Sequence, residues 1–191
     1  MNRYSTVKRV SRHQPGLCPG VTFAEILRNS YPDEKIGLVV NARGASKIAE
    51  WQKGENAFCE AVRRAKDASS GSKIAGILWL QGEEDVENEA DYINYQDKLT
   101  ALIKDLREAL DDDSIPFIAA EIWGDVELAK KEWQVGIEAV NRQIIGAVEK
   151  TNACTWVSTK GAEHTKEEPV HFSANGLRTI GERFAQAYLK A

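Results

Sequence analysis

Three loops of this sequence carry the residue types of a hydrolytic site. Residues 41–46 and 81–85 each follow a short apolar run, and His171 stands three residues after Glu168. An imidazole beside a carboxylate is a candidate general base. Backbone N–H groups at the Gly44 turn and the Gln81 amide are candidate donors to a developing oxyanion. The residues predict hydrolytic chemistry, although no nucleophile is evident.

Each of these features also has a purely structural explanation. Gly44 suits a tight turn, and the acidic residues of 81–85 suit the start of a helix, where the dipole favours negative charge. Glu168 and His171 together suit a surface pair. A cation site is a further alternative, but the spacing matches no dedicated ligand motif, so no metal is predicted. The ligands of this alternative cation site would be Glu83, Glu84, Asp85, Glu168 and His171.

Alternating strands and helices are predicted to position these loops. Helical periodicity predicts amphipathic helices, the first with a Thr22/Glu25 capping box and the last with Ser173 as its N-cap. The predicted helices are 21–29, 55–68, 91–110, 133–148 and 174–190, and the predicted strands are 36–40, 74–80, 115–123 and 154–158. This order predicts an α/β fold, a three-layer sandwich around a parallel, flavodoxin-like sheet. The carboxyl ends of its strands then bring the three loops to one edge.

Length and composition limit the classes of protein that fit. The 191 residues suit one domain over 1–191, with 1–20 irregular. A net charge of -4 argues against nucleic-acid and anionic-membrane partners. Cys18, Cys59 and Cys154 suit neither a disulfide framework nor a zinc site. The basic start is not followed by an apolar stretch, so we expect the chain as given to be cytoplasmic, while an intact parent could be exported.

Three stretches resemble the SGNH-hydrolase family, in its sialate O-acetylesterase and acetylxylan esterase branch. They are residues 41–51, residues 77–85 with the letters ILWLQGEED, and residues 170–176 with the letters VHFSANG. The similarity continues in register over nearly the whole chain. It implies a cofactor-free serine esterase that removes acetyl groups from sugar hydroxyls.

The resemblance also implies roles for individual residues. His171 corresponds to the general base and Glu168 to the acid that orients it. Gly44, Ala45 and Gln81 correspond to oxyanion donors. The residues expected to bind substrate are Arg43, Glu83 and Trp79.

Four departures from the family pattern bear on activity. Residues 1–20 lack the strand and the Gly-Gln-Ser-Asn-like turn that carry the nucleophile, and Ser46 does not stand in a Gly-x-Ser-x-Gly elbow. Leu80 replaces a His, Ala45 replaces a Gly, and Glu168 replaces the usual Asp. We therefore expect an N-terminally truncated esterase with weak or no activity as encoded.

The alternative is a non-catalytic glycan-binding or interaction protein derived from the same fold. Such a protein would hold a glycan with Arg43, Trp79, Gln81 and Trp123. A sheet without its first strand also favours self-association or a partner that supplies a strand.

Overall fold

The computed structural model describes residues 17–166 and 171–190. Its sheet has three parallel strands, in the order β1 (Ile77–Trp79), β2 (Phe117–Ala120) and β3 (Cys154–Val157). Ile77 lies opposite Phe117, and Phe117 lies opposite Cys154. The predicted α/β class and parallel sheet are confirmed.

The described residues form six α-helices. They are α1 (Pro19–Ser30), α2 (Asn56–Ala68), α3 (Glu89–Tyr92), α4 (Tyr95–Ala109), α5 (Lys131–Glu149) and α6 (Ala174–Tyr188). Short 3₁₀ helices cover Ile48–Trp51, Glu83–Asp85 and Val126–Leu128. No helix within residues 17–166 or 171–190 is long and apolar enough to cross a membrane.

The strand β2 shows why the fold has three layers. Phe117 and Ala119 pack into a core with residues of α4 and α5. Ile118 and Ala120 point to the other face and pack with residues of α1 and α6. Since successive side chains of a strand alternate between faces, a strand buried on both faces must be apolar at every position. The continuous apolar run therefore identified the centre of the sandwich.

The run at 36–40, predicted as a strand, is not a strand in the structure. Leu38 and Val39 remain 38% and 37% exposed. In β1 the N–H of Ile77 donates to the Pro116 carbonyl on the β2 side. In a parallel ladder the neighbouring Leu78 then directs its backbone groups to the opposite, open edge. An apolar run becomes a strand only beside a strand that bonds to it, and the described residues provide none there. The strand-supplying partner or self-association stays a prediction.

Helix boundaries follow local caps and, in one place, a tertiary contact. Ser173 caps α6 as predicted, since its Oγ accepts from Gly176 N at 3.2 Å. The Thr22/Glu25 capping box is wrong, because α1 begins earlier, at Pro19, with Cys18 as its N-cap. Pro19 and Gly20, predicted as irregular, are thus helical, and residues 1–16 lie outside the described residues. Pro suits the first helical turn because its missing N–H would have no partner there.

The predicted helix 91–110 is divided into α3 and α4. The Gln143 side chain of α5 enters the break: its Oε1 accepts from Gln96 N at 3.0 Å, and its Nε2 donates to the Tyr92 carbonyl at 2.5 Å. The Gln143 side chain therefore provides hydrogen-bond partners for a carbonyl at the C-terminal end of α3 and an N–H group in the first turn of α4. Nothing in the periodicity of α4 itself signals this contact.

Candidate active site

The carboxyl ends of the three strands face one edge of the sheet, and polar residues follow each strand there. Glu121 follows β2, and its Oε2 accepts from Ser158 Oγ at 2.6 Å and from Thr159 N at 3.1 Å beyond β3. The Thr159 hydroxyl oxygen accepts from Gly124 N at 2.8 Å. These bonds fix the two loops to each other, so this edge is a rigid support for a site.

The turn between Arg43 and Ser46 lies on the chain before the first 3₁₀ helix. Ala45 adopts a φ of 53°, in the left-handed region. The resemblance described above implies Gly at this position, and only Gly enters that region without steric cost. Gly44 itself has open space around it and an ordinary φ. Position 45 is therefore the position in this turn whose backbone conformation favours glycine, whereas position 44 does not require it.

The Ser46 side chain is committed to structure. Its Oγ donates to the Arg43 carbonyl at 2.9 Å and accepts from Trp51 Nε1 at 3.0 Å, and the residue is 4% exposed. A nucleophilic hydroxyl must be accessible and hydrogen-bonded to a base. The Ser46 hydroxyl meets neither condition in this structure.

Arg43, predicted to bind substrate, extends outward and forms an ion pair with Glu50, with Nη2 and Oε2 2.9 Å apart.

Gln81, predicted as an oxyanion donor, lies in a buried hydrogen-bond network. Its Nε2 donates to the Ser46 carbonyl at 2.6 Å and to Asp85 Oδ2 at 2.8 Å. Its Oε1 accepts from the Tyr95 hydroxyl at 3.0 Å. A primary amide has two N–H hydrogens, and here both are directed to protein oxygens. This geometry favours a role for Gln81 in holding loops together.

Asp85 carries the network to the 3₁₀ helix that follows the turn. Its carboxylate accepts from Ile48 N through Oδ1 at 3.2 Å and Oδ2 at 3.0 Å, and the residue is only 1% exposed. Burial raises the pKa of this carboxyl, and the hydrogen bonds from Gln81 and Ile48 oppose that shift. Loops 43–48 and 81–85 are therefore joined by buried polar contacts, as the predicted site requires.

Glu83, predicted to bind substrate, stands at the same edge. Burial raises the pKa of this half-buried carboxyl to about 7, and the nearby Asp85 charge adds to the shift. The backbone N–H groups of Gly82 and Glu83 oppose it. Gly82 has a φ of 140°, and a Cβ there would come within 2.8 Å of Val140. Glu83 thus projects from a turn that requires glycine, and its charge changes near neutral pH.

His171, the predicted base, is exposed at the end of the loop before α6. Its carbonyl accepts from Thr165 N at 2.8 Å. Glu168, the predicted acid, lies outside the described residues. The Glu168–His171 pair therefore stays a prediction.

Aromatic residues near this edge occupy the interior. Trp79, predicted to bind substrate, is buried in the core, packs edge-to-face on Trp51 at 5.4 Å, and donates from Nε1 to Tyr95 at 3.2 Å. This location favours a packing role. The indole of Trp123 is also buried and stacks on His164, with ring centroids 5.0 Å apart.

His164 stands in a polar stretch of the sequence, yet its ring is enclosed by aromatic side chains. Its ring is sandwiched between Trp123 and Phe172, the latter at 4.5 Å, and among the described residues neither ring nitrogen has a hydrogen-bond partner. His164 and Phe172 also form an antiparallel bridge. Polar neighbours in sequence do not reveal such a stack, because both partners come from distant positions.

Two further contributors were missed by the sequence. Tyr95 falls on the apolar stripe of α4, where periodicity predicts a core residue and gives no information about its hydroxyl. Asp85 was considered as an acidic loop residue and as a ligand of the alternative cation site, not as an acceptor that joins two loops. Within residues 17–166 and 171–190, no group of three or more His, Cys, Asp or Glu is placed to hold a metal ion.

Known proteins similar to this chain are described as carbohydrate esterases. The chain is 31% identical over 179 residues to a protein of Arabidopsis thaliana described as a probable carbohydrate esterase, a match covering 91% of this chain and 64% of that relative. The chain thus spans less than two thirds of the length of this curated relative. The crystal structure of the Arabidopsis protein matches with a TM-score of 0.85 at 29% identity, covering 96% of this chain and 73% of the other.

A second solved structure shares the fold at lower identity. It is a carbohydrate acetylesterase from Xanthomonas citri, with a TM-score of 0.65, 20% identity, and coverage of 88% of this chain and 40% of the other. A family model described as carbohydrate esterase, sialic acid-specific acetylesterase matches residues 3–190. This chain is therefore a member of that carbohydrate esterase family.

Proposed function

We propose that this chain carries the site of a serine-type carbohydrate O-acetylesterase and has weak or no turnover as encoded. The observation that carries the proposal is the buried network joining loops 43–48 and 81–85 at the carboxyl edge of the sheet, in a chain whose family match extends over residues 3–190. This edge is where α/β sheets place their ligands. The substrate class is an acetylated sugar.

His171 is assigned as the general base and Glu168 as the acid that orients it. In the family reaction, a hydroxyl oxygen attacks the acetyl carbonyl while the imidazole takes the hydroxyl proton. The same imidazole then gives that proton to the departing sugar oxygen, and water releases the acetyl group by the reverse roles. The backbone N–H groups of Gly44 and Ala45 are assigned as donors to the oxyanion, and each such donor contributes about 3 kcal/mol to transition-state stabilisation. Gln81 donating directly would require it to release Ser46 or Asp85.

Weak or absent turnover is proposed because three serines among the described residues, Ser46, Ser158 and Ser173, donate their hydroxyl hydrogens to other groups. Ser46 donates to a carbonyl, Ser158 to Glu121, and Ser173 to Glu163 at 2.5 Å. A hydroxyl that donates to a carboxylate or a carbonyl has no proton directed at an imidazole. Loss of a nucleophile lowers the rate of such a site by about 10⁶.

Arg43 and Glu83 are assigned to sugar binding. Arg43 lies at the surface beside the turn, and Glu83 offers a carboxyl that accepts hydrogen bonds when ionised and donates one when protonated. For Trp79 the same assignment needs a movement of the indole out of the core, so Arg43 and Glu83 carry this part of the proposal.

The test is hydrolysis of p-nitrophenyl acetate by wild type and by His171→Ala. His164→Phe is the matched control, since phenylalanine preserves the stack on Trp123 and Phe172 and removes no protein hydrogen bond. Turnover that His171→Ala abolishes and His164→Phe retains supports the esterase. A fluorophosphonate label followed by mass spectrometry then identifies the serine. Equal turnover in all three proteins contradicts the role of His171.

The non-catalytic alternative predicts a different set of results. A glycan-binding protein of this fold binds acetylated and plain sugars in calorimetry and hydrolyses neither. Arg43→Ala should weaken that binding, whereas Arg178→Ala, an exposed arginine of α6, should not. Binding without turnover or label, in protein that melts cooperatively, supports this alternative over the esterase.

A further inference from the structure

The buried network around Gln81 has an arrangement that restricts the orientation of one amide. The Tyr95 hydroxyl donates toward Gln81, with its oxygen 3.0 Å from Oε1 and 2.8 Å from the backbone carbonyl of the same residue. On the other side of the amide, Nε2 faces two acceptors, the Ser46 carbonyl and the Asp85 carboxylate. A rotated amide would place its oxygen against two acceptors, the Ser46 carbonyl and the Asp85 carboxylate. Only one orientation satisfies every partner.

Tyr95 is itself fixed by the core. Its ring is completely buried on α4, and its oxygen accepts from Trp79 Nε1 at 3.2 Å. The hydroxyl hydrogen is therefore directed away from the indole and toward Gln81. A chain of donors thus runs from the core of the sandwich, through Tyr95 and Gln81, to the Ser46 carbonyl at the end of the turn.

Asp85 completes the arrangement from the opposite direction. Both groups that face its carboxylate, Ile48 N–H and Gln81 Nε2–H, are donors. No Lys or Arg forms an ion pair with it among the residues that the structure describes. A buried carboxylate without a cation costs free energy unless hydrogen bonds compensate it. Packing alone does not explain why this position carries a charge, whereas holding two loops together does.

We propose that Tyr95 and Asp85 are positioning residues of the esterase site. They fix the Gln81 amide, and through its bond to the Ser46 carbonyl they hold the turn that presents the N–H groups of Gly44 and Ala45. This inference rests on the proposed function for its catalytic purpose. It assigns Gln81 to act through the turn and not by direct donation to the oxyanion.

Tyr95→Phe is the informative variant, because it removes one oxygen and touches neither Ile48 nor Ser46 directly. We expect hydrogen exchange at the Ile48 amide to become at least tenfold faster, while the amides of Ile180 and Phe184 in α6 keep their rates. The two side-chain amide resonances of Gln81 should shift in the same variant. Asp85→Asn should also accelerate exchange at Ile48 and leave α6 unchanged. The NH₂ group of the new asparagine would face the Ile48 N–H or the Gln81 NH₂, which are both donors.

Two matched controls separate positioning from general destabilisation. Tyr188→Phe removes a hydroxyl outside the network and keeps the edge-to-face ring contact with Phe23. Asp112→Asn alters an exposed carboxylate that accepts a hydrogen bond from Ser114 N outside the network. Both should leave exchange at Ile48 unchanged. Unchanged exchange at Ile48 in Tyr95→Phe, or an equal acceleration in α6, would overturn the proposal.

Kinetics separate this inference from the proposed function. If wild type hydrolyses p-nitrophenyl acetate, Tyr95→Phe should lower kcat about tenfold or more with KM unchanged. The Gly44 and Ala45 N–H groups are assigned to the oxyanion, which develops only in the transition state, and this ester has no sugar for Arg43 to bind. A raised KM with unchanged kcat contradicts positioning. Absence of turnover in wild type agrees with the proposed function and gives no rate on which Tyr95→Phe could be compared. The exchange result still decides whether Tyr95 and Asp85 hold the turn.

Discussion

Ser173 and Glu163 hold each other through two hydrogen bonds. Ser173 N donates to the Glu163 carbonyl at 2.8 Å, and Ser173 Oγ donates to the Glu163 carboxylate at 2.5 Å. The contact joins the chain before residue 167 to the chain after residue 170, and His171 stands two residues before Ser173. Together with the Thr165–His171 backbone bond, it fixes the base of the loop that carries the proposed general base.

Gly176→Ala should destabilise the protein by about 2–3 kcal/mol. A Cβ at this position would lie 2.1 Å from the Glu163 carbonyl oxygen, so the start of α6 would have to separate from Glu163. The sign is informative, since Gly to Ala inside a helix ordinarily stabilises by about 1 kcal/mol. Urea unfolding measures the change.

The control for this prediction is Gly44→Ala, which adds a methyl group in open space at an ordinary φ. It should change the free energy of unfolding by less than about 0.5 kcal/mol. A neutral Gly176→Ala would contradict the close approach of α6 to Glu163.

Ser173→Ala should lower the free energy of unfolding by about 1 kcal/mol, because α6 loses the acceptor for Gly176 N. Ser30→Ala is the comparison, since the Ser30 hydroxyl only bonds back to the Ile26 carbonyl of its own exposed helix end. Thermal melts of both variants measure the difference. Equal losses would argue against the cap.

Ala45→Gly should stabilise the protein by about 1 kcal/mol, because it removes the steric cost of a β-carbon at a φ of 53°. Ala49→Gly, in the 3₁₀ helix that follows, should have the opposite sign, since glycine there only adds freedom to the unfolded chain. Urea denaturation of the two variants gives the comparison. A loss of stability in Ala45→Gly would show that the turn is not left-handed in solution.

Glu83→Gln should change how stability depends on pH. The folded carboxyl has a pKa of about 7 against an ordinary value of 4.5 for a glutamate, so the folded state keeps its proton over a range in which the unfolded chain has lost it. Wild type should therefore lose stability as pH rises from about 4.5 to about 7. The upper limit is about 3 kcal/mol, reduced by water around the half-buried group.

The variant lacks this titration, so it should be more stable than wild type at pH 8 and equal to it near pH 4. Glu84→Gln, the adjacent carboxylate, is the control and should keep the wild-type pH dependence. Parallel curves for wild type and Glu83→Gln between pH 4 and 8 would contradict the shift.

The sequence by itself determined the elements whose signals are local. The residues at 115–123 predicted a strand, of which the structure forms Phe117–Ala120, and the apolar stripe of 133–148 predicted the helix α5. Ser173 was recognisable as an N-cap because its side chain bonds to an amide three residues away. Polar loops after the strands predicted the edge at which the candidate site lies, since parallel strands all end on the same side.

Tertiary structure decided the features that depend on distant partners. Residues 36–40 have the composition of a strand, but strand formation needs a neighbouring ladder, which periodicity cannot supply. Gln143 divides a helix of unbroken apolar spacing, and Trp123 and Phe172 enclose a histidine in a polar stretch. Gln81 has the same letters around it whether it donates to a substrate or to Ser46 and Asp85. Hydrogen-bond partners are chosen by three-dimensional proximity, so only the folded chain determines which atoms this amide contacts.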